Sequence, residues 1–374
     1  MPSVGFLLPG ATGNPVGGVK VAFEYANALA ARGWAVKVAM PHMIDEEEIQ
    51  ETRSSPWLRL RCAASYMKRR ARRGYLPSRW FNLDPNVAAR YLPTPEPWAL
   101  PAADAWVATS WRTAKWVVRT RGARLYLVQH VETWGGPEAQ VMATWKAPLR
   151  KIVVSRWLQE VARELGETAD YIPNGLDFSA FGVDVAPAER RGTRVLMLFH
   201  SSPWKGSADG IAALQIARTE EPRLEATLFG VKSRPVGLPS WIRYEKQPPQ
   251  QRLRELYNSA SVFLAPSWTE GWGLPATEAM ACGCALVATD VDGHREFAHD
   301  GETALLAPPR EPVSLARQLL RIVGDAKLRL ALARTGNAYV QRFTWSRATD
   351  QLESVLREEI GAVARGSGTV LQVR

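Results

Sequence analysis

Two glutamates, Glu270 and Glu278, are the residues whose type and spacing point most directly to chemistry. The apolar run at 261–265 predicts a buried strand before them, and Pro275 predicts the first turn of a helix at 275–282. The unpaired N–H groups and the dipole at such a helix start favour an anion such as phosphate. Carboxylates accept hydrogen bonds from sugar or ribose hydroxyls. A plainer interpretation stays open, in which Glu278 only complements the helix dipole and Glu270 is solvated.

A lysine and a histidine follow a second predicted strand, at 194–199. His200 comes directly after that strand, and Lys205 closes the loop before the next predicted helix. A lysine in this place can meet a diphosphate as a point charge. The alternative is an exposed lysine at an ordinary turn.

The first half of the chain offers a glycine pair and one histidine. Gly17 and Gly18 precede a predicted helix, and adjacent glycines let a ligand approach the backbone closely. His130 follows the strand predicted at 124–129, so we expect it at the carboxyl end of a sheet. A plain glycine turn and a histidine bonded to the backbone remain the alternatives.

Strand and helix patterns alternate along nearly the whole chain, which predicts the α/β class with parallel sheets. The pattern restarts after a polar stretch, so we predict an N-terminal domain at 1–183, a linker at 184–193 and a C-terminal domain at 194–344. Open α/β sheets bind ligands at the carboxyl ends of their strands. We therefore expect two Rossmann-like domains that face each other across a ligand-binding cleft.

The net charge of +10 is concentrated in one segment, 53–79, which holds nine arginines and lysines and no acidic residue. A helix predicted from Pro56 would carry the cluster of Arg69, Arg70, Arg72 and Arg73. An anionic membrane or an acidic polysaccharide would suit this surface. A solvated helix is the plainer alternative, and nucleic-acid binding, with Tyr66, Tyr75 and Trp80 as stacking partners, is a third.

The remaining composition narrows the class of protein. Three cysteines without framework spacing predict reduced thiols and a cytoplasmic protein. No apolar run is long enough to span a bilayer, and the first residues predict a buried strand rather than a signal peptide. Cys282 and Cys284 have no second ligand pair, so we predict no metal site.

Taken together, these motifs resemble the retaining glycosyltransferases of family 4, which have the GT-B fold. Glu270 and Glu278 match the family's E-x7-E signature inside PSWTEGWGLPATEAMACG. The glycine pair, Lys205 with Gly206, the run Pro173-Asn174-Gly175 and Glu296 follow in the expected order. The resemblance covers nearly the whole chain and implies that 345–374 packs back on the N-terminal domain.

The resemblance also implies roles. Glu270 would hold hydroxyls of the donor sugar, Lys205 would bind the diphosphate and His130 would lie beside the sugar at the reacting face. Glu278 would bind the donor ribose. Donor contacts would also come from Gly17, Gly18, His200, Gly271, Trp272, Gly273 and Leu274. The expected reaction moves a sugar from a nucleotide-diphosphate donor to a glycan, lipid-linked or small-molecule acceptor, with no metal or other cofactor.

One position departs from the family pattern. The family usually has an arginine shortly before the phosphate-binding lysine, where this sequence has His200, and a neutral imidazole stabilises a diphosphate less than a guanidinium does. Arg234 is a candidate substitute. A sugar-nucleotide epimerase on the same fold remains an alternative to a transferase. The N-terminal half receives the acceptor in this family, so peripheral contact with the inner face of a membrane is a further expectation.

Overall fold

The computed structural model describes residues 1–366, which divide into two compact units. Among the described residues, unit 1 contains 1–174 and 345–366, and unit 2 contains 175–344. Residues 367–374, the end of the segment predicted to pack back on the N-terminal domain, lie outside the described residues. Each unit is an α/β layer structure built on its own parallel sheet.

Unit 1 contains a seven-stranded sheet in the order β3-β2-β1-β4-β5-β6-β7, with every pairing parallel. The strands are β1 Ser3–Leu7, β2 Ala35–Pro41, β3 Ala88–Leu92, β4 Ala105–Ala108, β5 Ala123–Val128, β6 Arg150–Val153 and β7 Ala169–Tyr171. The helices are α1 Gly17–Ala31, α2 Glu46–Ser54, α3 Pro56–Ala71, α4 Trp111–Val117, α5 Glu138–Trp145, α6 Arg156–Glu164 and, from the end of the chain, α12 Trp345–Ala364.

Unit 2 contains a six-stranded parallel sheet in the order β10-β9-β8-β11-β12-β13. Its strands are β8 Arg194–Leu198, β9 Glu225–Gly230, β10 Ile242–Lys246, β11 Val262–Ala265, β12 Ala285–Thr289 and β13 Ala304–Ala307. Its helices are α7 Ser207–Glu220, α8 Gln250–Ser259, α9 Leu274–Ala281, α10 Pro312–Gly324 and α11 Ala326–Val340. Both sheets contain the 3-2-1-4-5-6 order of the doubly wound fold.

The α/β class and parallel sheets are confirmed, and most predicted elements agree with the structure to within a few residues. Ser55 caps α3 through its side chain, which accepts a hydrogen bond from the Leu58 N–H at 3.4 Å, and Pro56 is the first helical residue. The short strands β3, β7, β10 and β13 were not predicted. All four are edge strands of their sheets, and β3, β7 and β10 lack the continuous apolar run of the buried central strands.

The predicted linker at 184–193 is wrong, because this segment lies inside unit 2. The boundary falls earlier, where the Leu176 N–H bonds the Phe343 carbonyl at 2.9 Å and Phe181 packs against Tyr257. Arg190, within the predicted linker, is 7% exposed. Its guanidinium donates to the carbonyl oxygens of Val185, Tyr257, Ala260 and Cys282. A polar composition therefore misled the prediction, since the arginine is buried among backbone acceptors.

The C-terminal helix α12 belongs to unit 1, where it packs on α1. Glu353 accepts hydrogen bonds from the Arg32 guanidinium and the Trp34 indole N–H, both at 3.1 Å. Trp345 meets the buried ring of Tyr25 edge to face at 5.2 Å. Polar and aromatic contacts thus hold the last helix against the first.

Helix α3 is unusual because none of its residues is fully buried. Leu58, Cys62 and Tyr66 lie on its partly covered side, whereas Trp57, Leu60 and Met67 are more than half exposed. Arg70, Arg72 and Arg73 are exposed, but Arg69 is half-buried, donates to the Ala11 carbonyl at 2.8 Å and lies over the Tyr91 ring. Arg69 therefore faces its own unit, unlike the other three arginines.

Candidate functional site

In unit 2, the chain leaves the two central strands, β8 and β11, in opposite directions: β8 is followed by β9 on one side of the pair, and β11 by β12 on the other. Strand order reverses there, so the loops after the two strands leave room between them, which is where open α/β sheets bind ligands. The loop after β8 ends in Lys205, and the loop after β11 contains Glu270. Both loops line a recess of about 350 Å³, open solvent included.

An ion pair joins the two loops. The Lys205 ammonium lies 2.8 Å from both carboxylate oxygens of Glu270, and the Ser267 hydroxyl donates to one of them at 2.8 Å. The side chains of Lys205 and Glu270 are 28% and 13% exposed. The pair is therefore largely desolvated but still open to a ligand on one side.

Glycines let the backbone segments around this pair come close together. A Cβ atom at Gly206 would lie 1.8 Å from the Pro266 carbonyl oxygen, so only glycine allows the two loops to touch. A Cβ atom at Gly293 would lie 2.4 Å from the Gly271 carbonyl carbon, and the Gly293 N–H bonds the Glu270 carbonyl at 3.0 Å. The backbone around Glu270 is thus fixed from two sides.

Glu270 is ionised throughout the ordinary pH range. Burial alone would raise the pKa of Glu270, but the Lys205 ammonium, the nearby His294 ring and the Ser267 hydroxyl outweigh it and lower the pKa to about 2. The recess therefore contains a permanent carboxylate, which accepts hydrogen bonds, beside an ammonium, which donates them.

His200 lies at the end of β8, where the family resemblance leads us to expect an arginine. Its Nδ1 accepts the Ser202 N–H at 3.0 Å, so the neutral ring has its proton on Nε2. Desolvation and the charge of Lys205 lower the pKa of His200, which favours the neutral form. The proposed substitute, Arg234, instead donates to the carbonyls of Ile242, Leu238 and Pro239.

Glu278 lies in the second turn of α9, because the helix begins at Leu274, one residue before the start predicted at 275. A position in the first turn, which the predicted start implied, is therefore not observed. The side chain is buried, and the Tyr257 hydroxyl donates to it at 3.2 Å. Lys205, Glu270 and Gly273 line the recess together, whereas Glu278 is not among its lining residues. Its burial argues against a carboxylate that only complements the helix dipole from solvent.

The loop before α9 offers the ligand its backbone rather than its side chains. Gly273 has a φ of +105° and caps the helix, and Leu274 is the first helical residue. Gly271 and Trp272 are buried, and the indole of Trp272 packs edge to face on Phe343 at 4.9 Å. Trp272 therefore belongs to the hydrophobic core of unit 2.

In unit 1, the glycine pair Gly17–Gly18 lies next to Gln129, the residue before His130. Gly17 and Gly18 begin α1, and the Gln129 amide donates to the Gly18 carbonyl at 2.9 Å. The next residue, His130, lies edge to face on Trp134 at 4.2 Å between ring centres. The Val131 N–H donates to His130 Nδ1 at 2.8 Å, so the neutral ring presents a protonated Nε2.

Sequence reasoning missed Glu132, which lies two residues further along the chain. Its backbone is left-handed, with a φ of 58°, and its carboxylate accepts the Trp111 N–H at the start of α4 at 2.8 Å. Burial raises the pKa of Glu132 to about 7, against the lowering effect of that hydrogen bond. No motif marks this residue, because only the folded loop brings it to the helix start.

We expect Glu132 to make the protein less stable as the pH rises. The folded pKa of about 7 exceeds the unfolded value of 4.5, so the folded state binds the proton more tightly and stability falls between about pH 4.5 and pH 7. Glu132→Gln should equal the wild type at pH 5 and be more stable at pH 8, by about 1–3 kcal/mol. Urea denaturation at both pH values measures this.

The exposed Glu138, at the start of α5, supplies the control. Glu138→Gln should show the same pH dependence as the wild type. An equal stability of Glu132→Gln and wild type at pH 8 would contradict the assignment.

Comparisons with known proteins bear directly on this geometry. Residues 202–325, which include Lys205 and both glutamates, match the family model described as glycosyl transferases group 1. This third of the chain is therefore similar to the group 1 glycosyl transferases, in agreement with the resemblance drawn from the E-x7-E signature. A curated relative is the phosphatidyl-myo-inositol mannosyltransferase of Mycobacterium tuberculosis, 31% identical over 234 residues. That match covers 58% of this chain and 59% of the relative, so the chain spans less than two thirds of its length.

Solved structures show the same fold over nearly the whole chain. Sucrose-phosphate synthase from Thermosynechococcus elongatus is similar with a TM-score of 0.74 at 19% identity, over 97% of this chain and all of that one. The Anabaena protein HepE in complex with UDP and glucose gives a TM-score of 0.71 at 16% identity, over 96% of this chain and all of that one. The predicted GT-B fold, with its two Rossmann-like units, is confirmed.

Among residues 1–366, no three or more histidine, cysteine, aspartate or glutamate side chains are grouped so that they could hold a metal ion. Metal independence stays a prediction.

Proposed function

We propose that this protein is a retaining, metal-independent glycosyltransferase that moves a hexose or deoxyhexose from a nucleotide-diphosphate sugar to an acceptor. The observation that supports it most is the Lys205–Glu270 ion pair, with 2.8 Å contacts, at the switch point of unit 2. The acceptor is a glycan, a lipid-linked sugar or a small molecule. Such a reaction suits the synthesis of cell-envelope polysaccharide or glycoconjugate.

The charges of the recess match those that develop in the reaction. The bond between the anomeric carbon and the phosphate oxygen breaks, and the acceptor oxygen bonds that carbon on the same face. The acceptor proton passes to the departing phosphate. Lys205, the His200 Nε2–H and the unpaired N–H groups at the start of α9 would stabilise the diphosphate, while Glu270 would hold sugar hydroxyls.

The relatives support the substrate class. HepE was crystallised with UDP and glucose, and the mycobacterial relative is a mannosyltransferase. Both names are compatible with a nucleotide-linked hexose at the recess of unit 2. A ligand screen identifies the base and the sugar.

A thermal-shift screen with nucleotide-diphosphate sugars tests the proposal. A donor present at 100 times its Kd should add about 2.7 kcal/mol to the stability of the folded state. The donor that stabilises most should then yield a product with a new glycosidic bond, detected by mass spectrometry. Conversion of that donor into its epimer, with no transfer, would contradict the proposed reaction.

The exposed side of helix α3 supports peripheral contact with an anionic membrane as part of this function. Trp57, Leu60 and Met67 recur at helical spacing, so they form one apolar stripe, and exposed arginines and lysines flank it. Within residues 1–366, no helix has both the length and the apolar composition that crossing a bilayer requires. The proposed contact is made by the apolar stripe of α3 and its flanking basic residues.

Nucleic-acid binding through the same segment is poorly supported. Tyr66 and Tyr75 both stack on Tyr91, at 5.1 and 5.3 Å between ring centres, and Trp80 packs on Phe23. The aromatic side chains that base stacking would need are thus engaged within unit 1.

Leu60→Glu should reduce recovery of the protein with anionic vesicles in a flotation assay by tenfold or more, because it places a carboxylate in the apolar stripe. Val313→Glu is the matched control, since Val313 is 59% exposed on helix α10 of unit 2. Equal recovery of both variants and the wild type, or equal recovery with neutral vesicles, would rule out the membrane contact.

A further inference from the structure

A buried histidine that no motif marks, His294, lies against the recess of unit 2. It follows β12 in a short turn of 3-10 helix, Asp292–Glu296, and is 1% exposed. Its Nδ1 lies 2.9 Å from the Thr289 carbonyl oxygen, which can only accept, so Nδ1 donates. Burial lowers the pKa of His294 and favours the neutral ring, against the raising effect of the nearby Glu270 carboxylate. In that ring Nε2 has a lone pair and acts as a hydrogen-bond acceptor.

The Nε2 edge of the ring faces the start of helix α9. The ring lies so close to Gly273 that a Cβ atom added to this glycine would be 3.0 Å from Cδ2 and 3.2 Å from Nε2 of His294. His294 lines the recess together with Lys205 and Glu270. Within residues 1–366, the hydrogen bond of the His294 ring is the one from Nδ1 to the Thr289 carbonyl. Nε2 lines the open recess and takes its donor from water or from a bound ligand.

The backbone keeps His294 and Glu270 in a fixed relation. The preceding residue, Gly293, packs directly on the 271–272 peptide and donates to the Glu270 carbonyl at 3.0 Å. The recess therefore presents two acceptors, the Glu270 carboxylate and His294 Nε2, and one cationic donor, Lys205. This pattern suits a ligand with hydroxyl groups on one side and phosphate oxygens on the other.

We propose that His294 is a specificity-determining residue whose Nε2 accepts a hydrogen bond from a hydroxyl of the donor sugar. This inference rests on the proposed function and deepens it by naming what the sugar must have. The sugar needs a hydroxyl facing His294 and another facing Glu270. A sugar that lacks the first hydroxyl offers no donor to Nε2, and a carboxylate in its place meets the lone pair of Nε2 instead of a donor.

Two variants of the full chain separate this role from a structural one. The amide of asparagine reaches the place of Nδ1, so His294→Asn keeps a donor for the Thr289 carbonyl and removes the acceptor from the recess. The amide of glutamine reaches the place of Nε2, so His294→Gln keeps an acceptor there and loses the bond to Thr289. If His294 acts only through its bond to Thr289, His294→Asn should bind the donor normally and His294→Gln should not. If it acts through Nε2, the order of the two affinities should be reversed.

Isothermal titration with UDP, UDP-glucose, GDP and GDP-mannose measures the difference. His294→Asn should bind the two nucleoside diphosphates as the wild type does, and bind the preferred nucleotide sugar about tenfold more weakly. His294→Gln should bind that sugar more tightly than His294→Asn does. His299→Asn, a histidine of unit 2 that packs on Tyr339, should leave all four affinities unchanged.

Monodeoxy analogues of the preferred donor give a second readout. The analogue that lacks the hydroxyl facing His294 should bind the wild type and His294→Asn equally, because the interaction is already absent. Wild-type affinity of His294→Asn for the nucleotide sugar overturns the inference and leaves the proposed function intact. Failure of the wild-type chain to bind any nucleotide-diphosphate sugar of the thermal-shift screen contradicts the proposed function, and the inference falls with it.

Discussion

Replacing Lys205 with methionine should lower kcat/KM for sugar transfer by about 10²–10³-fold or more, since removal of one preorganised donor from a charge-stabilising site has an effect of this size. The Lys205 ammonium is the cation that contacts Glu270, and it would meet the diphosphate as negative charge develops there. Methionine keeps the length of the side chain and removes only the charge and its hydrogen bonds. Initial rates with the donor found in the screen measure the effect.

The same substitution leaves the Glu270 carboxylate without its counterion in a largely desolvated place, so some loss of stability is expected as well. The double variant Lys205→Met/Glu270→Gln separates the two effects. It should recover stability, because no unpaired charge remains, but not activity. Lys327→Ala, at an exposed lysine on helix α11, serves as the control and should behave as the wild type. A Lys205→Met protein with kcat/KM within twofold of the wild type would refute the assignment.

Arg190→Met should destabilise unit 2 by about 3–5 kcal/mol, the largest effect on stability that we expect from one substitution away from the recess. The guanidinium is buried and bonds four carbonyl oxygens, including those of Tyr257 and Ala260 at the end of helix α8 and that of Cys282 at the end of helix α9. Methionine fills a similar volume but leaves these carbonyls desolvated and unpaired. Helix α9 follows the Glu270 loop, so donor affinity should fall as well.

The neighbouring arginine provides a matched control. Arg191 is 69% exposed and pairs with Glu225, an arrangement that contributes little to stability. Arg191→Met should therefore change stability by less than about 0.5 kcal/mol. Because the protein has two units, unfolding need not be two-state, and hydrogen exchange of peptides from unit 2 is the appropriate measurement. Equal protection of these peptides in the two variants would contradict the role of Arg190.

Local sequence patterns were enough to predict most of the helices and strands and the alternation between them. Residues that cap helices or that alternate along strands act through neighbours in the chain, so Ser55, Pro56 and the alternation of strands and helices could be interpreted without a fold. Glu270 and Lys205 were found in the same way, because each follows a strand whose carboxyl end is predictable. Their placement in one recess follows from the switch point of a parallel sheet.

Only the tertiary structure revealed the properties of Arg190, Glu132 and His294, because these depend on contacts between residues far apart in the chain. In the sequence, Arg190 was interpreted as part of a polar linker. In the fold it donates to four backbone carbonyls, the most distant of them 92 positions away in the chain. Glu132 has a raised pKa only because the fold places it, desolvated, at the start of helix α4. Nothing in the sequence distinguishes His294 from other histidines in turns, whereas the fold places its ring against Gly273. Burial and long-range hydrogen bonds set these properties, and neither is encoded in the spacing of residues along the sequence.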